Sequence, residues 1–160
     1  MLNFRGRNRA TGENALESYA ATIEQILASV GIDPVAARMR TETGFGWSFQ
    51  RNSAVIEIFV SQQDNIGYLQ VLSPIMHLPI NALLPLYRRL LELNLQLTNA
   101  ALGVYLDVVY VFSERPLEGM DGNEANTIIN PFTPYHWVGT QEGIFYDLCD
   151  KHYYNVASLQ

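Results

Sequence analysis

"AVIEIFVSQQDNIGYLQVLSPIM", residues 54–76, decides how the rest of the chain is read. Ile56, Ile58 and Val60 alternate with Val55, Glu57, Phe59 and Ser61. That is the period of a strand, whose successive side chains leave on opposite faces. Asp64-Asn65 interrupts the run with turn-forming residues, and a second strand follows. There Leu69, Val71 and Ile75 share one face, opposite Tyr68, Gln70 and Leu72. The first face reads as core. The second carries Glu57, Ser61 and Gln70 and reads as partly wet, because charges are rarely buried unpaired. It still holds Phe59, Tyr68 and Leu72, more apolar surface than a fully solvated face needs.

Upstream, "FGWSFQ" adds a strand in which Phe45, Trp47 and Phe49 alternate with Gly46, Ser48 and Gln50; Trp47 and Phe49 read as core. Before it, "NALESYAATIEQILASVGI" places Leu16, Tyr19, Ala20, Ile23, Ile26, Leu27 and Val30 on one helical stripe. Asn14 and Glu17 have the spacing of a capping box. Gly31 supplies a left-handed end, Ile32 folds back toward Leu27, and Asp33-Pro34 blocks continuation. Downstream, "PINALLPLYRRLLELNLQL" predicts a second helix with Leu83, Leu84, Tyr87, Leu90, Leu91 and Asn94 as its apolar stripe and Arg88, Arg89 and Glu92 outside. Its regular hydrogen bonding should begin near Leu84, so that Pro85 falls in the first turn. "LGVY" and "VVYVFSE" read as two strands joined at Leu106-Asp107, or as one bent strand. Asp121 and Glu124 offer a capping pair for a last helix that Pro131 stops at Asn130.

The expected architecture is therefore α+β, an antiparallel sheet of about five strands backed by helices in the order α-β-β-β-α-β-β-α. Residues 1–13 are expected as a flexible N-terminal arm, 14–130 as the domain, and 131–160 as a divergent C-terminal segment packed on it. At 160 residues, one domain can bury a real core without staples. Charged residues make up 16% of the chain, a soluble globular composition. A single cysteine excludes an intramolecular disulfide and fits a reducing compartment, and "MLNFRGRNRATGENALE" is too polar for a secretory signal, so a cytoplasmic location is expected. A net charge of −6 argues against nucleic acid and anionic membranes as partners, and Arg5, Arg7 and Arg9 read as a solvated basic end.

Reactive side chains collect in "PYHWVGTQEGIFYDLCDKHYYN", residues 134–155, which also reads as a short helix over its second half. Cys149 and His152 are three residues apart, but no second ligand pair accompanies them, as zinc spacings require. Cys149 also lacks a flanking oxyanion-hole glycine motif. His77 reads as a connector residue, Asp107 as turn chemistry, and Glu118 and Asp121 as helix-start electrostatics. "TGFGW" has glycines but no following helix start to cradle phosphate. No catalytic residues, metal or cofactor are expected. A small metal protein or enzyme using His136, Asp147, Cys149 and His152 is the alternative.

Three stretches, "EIFVSQQDNIGYLQVLSPIMHLP", "LLPLYRRLLELNLQLTNAALGVYLD" and "VYVFSERPLEGMDGNEANTIIN", together resemble the YbjN family in its cyanobacterial and plastid branch. The likeness spans roughly residues 15 to 130 and contains no catalytic signature. It implies a type III secretion chaperone-like fold, pairing as a homodimer, and a binding or assembly role. The family pattern continues after "EANTIIN" as a longer charged helix, where this chain has Pro131 instead. Taken with the half-apolar sheet face, these features predict a non-enzymatic homodimer that binds a client polypeptide. Val55, Phe59, Tyr68 and Leu72 would supply the contact, or a free strand edge would accept a client strand.

Overall fold

The computed structural model describes residues 5–51, 54–64 and 66–129. The expectations for residues 131–160, including their short helix, lie outside these. The elements in order are α1 (Arg5–Ser29), α2 (Pro34–Ala37), β1 (Arg38–Met39), β2 (Phe45–Arg51), β3 (Ala54–Gln63) and β4 (Ile66–His77). α3 (Leu83–Asn94), β5 (Ala101–Tyr105), β6 (Val108–Pro116) and α4 (Gly122–Ile129) complete them. The six strands form one antiparallel sheet in the order β1-β2-β3-β4-β6-β5. The fold is thus α+β as expected, with one strand and one short helix, α2, more than expected. The extra strand, β1, is two residues long and pairs Arg38 with Trp47 and Met39 with Gly46, too short a run for periodicity to register. No helix among the described residues is long and apolar enough to cross a membrane.

Contacts divide the chain into two compact units that share these strands. The first holds the described residues of 1–49, 57–71 and 114–130; the second holds those of 50–56 and 72–113.

In the first unit, α1 buries Ala20, Ile23, Ile26 and Leu27, the stripe read from the sequence. Its end is a Schellman motif: Gly31 stands at φ +82°, Ile32 N–H donates to Leu27 C=O at 3.0 Å and Gly31 N–H to Ala28 C=O at 3.1 Å. Its start differs from expectation. The helix begins at Arg5, and Asn14 and Glu17 lie within it rather than at a cap. The reason is that "RGRNRATGE" contains no proline; its two glycines weaken a helix by about 1 kcal/mol each but do not break it. Asp33 starts α2, its Oδ1 accepting from Val35 N–H at 2.9 Å and Ala36 N–H at 3.3 Å, with Pro34 in the first turn. Trp47 is wholly buried beside Phe45, and the Arg38 guanidinium lies 5.6 Å and 4.9 Å from the two ring centroids while also pairing with Glu24. Trp47 Nε1 has no hydrogen-bond partner among the described residues, a cost of about 1–3 kcal/mol that the ring's burial offsets.

Tyr19 of α1 donates from its hydroxyl to Leu117 C=O at 2.7 Å, fastening the helix to the chain after β6. Asp121 caps α4 through the Glu124 N–H at 2.8 Å. Glu124 does not complete the capping pair; its carboxylate meets Arg115 instead.

In the second unit, α3 packs against β5 and buries Leu86, Leu90 and Leu93. This corrects the expected stripe: Leu83, Leu84, Tyr87 and Leu91 are exposed. Leucine occurs on nearly every side of this helix, so spacing alone supports two overlapping stripes, and packing on the strand selects one. Pro85 sits in the first turn, as required. Asn94, expected on the apolar stripe, accepts Leu102 N–H at 2.6 Å and donates to Leu102 C=O at 3.3 Å. Leu106 and Asp107 both adopt positive φ, 46° and 61°, between the paired Tyr105 and Val108. β5 and β6 are therefore a tight hairpin of the primed type, not one bent strand.

Two glycines separate backbone conformation from crowding. A Cβ on Gly31 would meet nothing, whereas on Gly44, at φ +78°, it would lie 2.1 Å from the Val60 carbonyl oxygen. Gly31→Ala should cost about 1–2 kcal/mol from the left-handed backbone alone, and Gly44→Ala about 3 kcal/mol or more, both read from urea denaturation. At the hairpin tip, Leu106→Asn with Asp107→Gly should raise stability by about 1 kcal/mol, because those residues accept positive φ without strain.

Candidate protein-binding surface

β3 alternates as its sequence dictates. Ala54, Ile56, Ile58 and Val60 are buried, while Val55, Glu57, Phe59 and Ser61 are partly open. On β4, Leu69, Val71 and Ser73 continue the buried face; the alternation then slips, so that Met76 is buried and Ile75, expected in the core, is half-buried. Pro74 lies at the slip, where an irregular strand tolerates a residue without an N–H. Ser73 hides its hydroxyl by donating to Val55 C=O at 2.6 Å.

In the first unit the open side of these strands carries Phe59 and Tyr68, both half-buried. Phe59 has a structural task as well. A Cβ placed on Gly46 would lie 3.4 Å from its ring, so the ring covers the bare backbone of the neighbouring strand. Gln70 donates from Nε2 to the Glu114 carboxylate, which meets the polar requirement of the same side.

In the second unit the open side carries Val55, Leu72, Tyr110 and Phe112. Val55 and Phe112 are each 38% exposed, and Leu72 and Tyr110 are half-buried. Phe112 repeats the arrangement of Phe59: its ring lies 3.2 Å from the position of a Cβ on Gly103. Tyr110 and Phe112 were not singled out from the sequence, though their alternation with Val109 and Val111 was the available signal.

The strand edge is less open than expected. Asn94 occupies both backbone groups of Leu102 on β5, the edge strand beyond β6. β1, at the other edge, offers only two residues.

Among the described residues no three His, Cys, Asp or Glu side chains gather where they could hold a metal. His77 is exposed at the end of β4. His136, Asp147, Cys149 and His152 lie outside the described residues. The sequence signals missed a second apolar surface: Leu84, Leu91 and Leu95 on the outer side of α3 are far more exposed than any residue of the sheet face. A shallow groove of about 460 Å³ is lined by Leu84, Pro85, Arg88, Arg89 and Glu92.

Comparison with models of known protein families and with characterised proteins yields no match. The likeness to the YbjN family thus stands on the three quoted stretches alone.

The two faces of β3 should separate in mutation. Ile58→Ala should cost about 2–5 kcal/mol by opening a core cavity, and Val55→Ala should stay within about 0.5 kcal/mol, both measured by urea denaturation.

Proposed function

We propose that this chain is a non-enzymatic, chaperone-like protein of the YbjN type that acts as a homodimer and binds a client polypeptide on the open side of its sheet. The observation that carries the reading is the composition of that side: aromatic and aliphatic residues interleaved with Gln70 and Glu114, left half-open where an ordinary solvated face would be polar. Phe59 and Tyr68 act in one unit, Val55 and Leu72 in the other. A half-buried aromatic ring suits such contact, because it is already ordered against its own strand and loses little side-chain freedom on binding. The sheet side is favoured over the strand edge because Asn94 covers the Leu102 backbone of β5.

The reading is tested with the full chain as bait. A client recovered by wild type should be lost with Phe59→Glu, Tyr68→Glu, at unchanged circular dichroism. A synthetic peptide from that client should bind wild type in fluorescence anisotropy and bind the variant at least tenfold more weakly. A peptide that binds both equally overturns the assignment of the sheet side.

A further inference from the structure

β5 ends the sheet beyond β6, so one of its sides has no neighbouring strand. The hairpin register sets Ala101 opposite Phe112, Gly103 opposite Tyr110 and Tyr105 opposite Val108; between them lie the pairs Leu102 with Val111 and Val104 with Val109. In a two-residue hairpin the residues flanking the turn exchange hydrogen bonds, and the exchange recurs at every second residue. Ala101, Gly103 and Tyr105 therefore aim their backbone groups at β6. Leu102 and Val104 aim theirs away from it, and a strand added at this edge would bond to those two residues.

The composition invites such a strand. From Leu93 to Leu106, "LNLQLTNAALGVYL" contains neither a charge nor a proline, and β5 itself has no lysine to repel a neighbour. Uncharged apolar edges of this kind are where chains pair with one another. Asn94, the last residue of α3, stands in the way. Its Oδ1 accepts the Leu102 N–H at 2.6 Å and its Nδ2 donates to the Leu102 C=O at 3.3 Å. One carboxamide thus makes both bonds that a neighbouring strand would make at Leu102, and leaves only Val104 to an incoming chain.

A leucine at position 94, four residues after the buried Leu90, would extend the apolar stripe and suit the helix better than asparagine does. It would also uncover the Leu102 backbone. We infer that Asn94 is a guard on the β5 edge, an amide held where a seventh strand would lie, and that the chain it excludes is the β5 edge of another copy. Antiparallel pairing about Gly103 would set Leu102 of each copy opposite Val104 of the other, so the outward backbone groups of both strands would meet in register. No charge on either strand would oppose it. The guard differs from simple satisfaction of the Leu102 backbone in what the edge does once uncovered.

Asn94→Leu in the full chain tests the guard. In dilute solution the Leu102 amide of the variant should exchange its hydrogen at least tenfold faster than that of wild type. On concentration, light scattering should show the variant's mass rising above wild type's, with the Leu102 and Val104 amides becoming protected together. Adding Val104→Pro removes the other outward N–H of β5 without breaking a bond to β6, and should return the mass to wild type's. A fluorescent peptide of residues 101–105, flanked by lysines for solubility, should bind Asn94→Leu at least tenfold more tightly than wild type in anisotropy. A variant whose Leu102 amide is uncovered but whose mass and peptide affinity match wild type's overturns the guard and leaves Asn94 as a backbone partner only. An unchanged Leu102 amide overturns it as well. Should the leucine variant fail to fold, wild type decides alone: a peptide that binds it and protects its Leu102 amide has passed the guard and overturns the inference, and a peptide that does not bind supports it.

Discussion

Ile56, Ile58 and Val60 on β3, with Leu69 and Val71 on β4, are shut away from water, and the positions of the other elements follow from keeping them so. Burying each such side chain contributes about 1.5–3 kcal/mol. A slip of one residue in pairing would exchange that set for Glu57, Phe59 and Ser61, so the register is held by a large energy difference and not by the turn alone. α1 brings Ile23 and Leu27 to the first unit's core, and α3 brings Leu86 and Leu90 to the second's. Polar contacts add to this burial: Tyr19 to Leu117, Asn94 to Leu102, Ser73 to Val55.

The same alternation produces the open side of the sheet as a by-product. Once every second residue is committed to the core, the others must face outward, and here several of them are aromatic. Phe59 over Gly46 and Phe112 over Gly103 show part of the reason, since each ring shields backbone that a glycine leaves bare. Tyr68, Leu72 and Val55 have no such neighbour to cover and carry the greater share of the argument for a partner.

Apolar surface on α3 has a different origin. A strand offers two faces with strict parity, but a helix can carry two stripes whose residues are interleaved in sequence. Leu86, Leu90 and Leu93 lie inward; Leu84, Leu91 and Leu95 lie outward.

From the sequence alone one can determine every strand of four residues or more, the Schellman end of α1 at Gly31, the capping by Asp121 and the buried parity of β3. These are local facts, set by period and by backbone chemistry within a few residues. Tertiary structure decided what local patterns leave open. It chose which leucines of α3 go inward, since burial depends on where β5 lies and not on spacing. It made Leu106-Asp107 a strained two-residue turn, because the pairing of β5 with β6 outweighs the preference of leucine for negative φ.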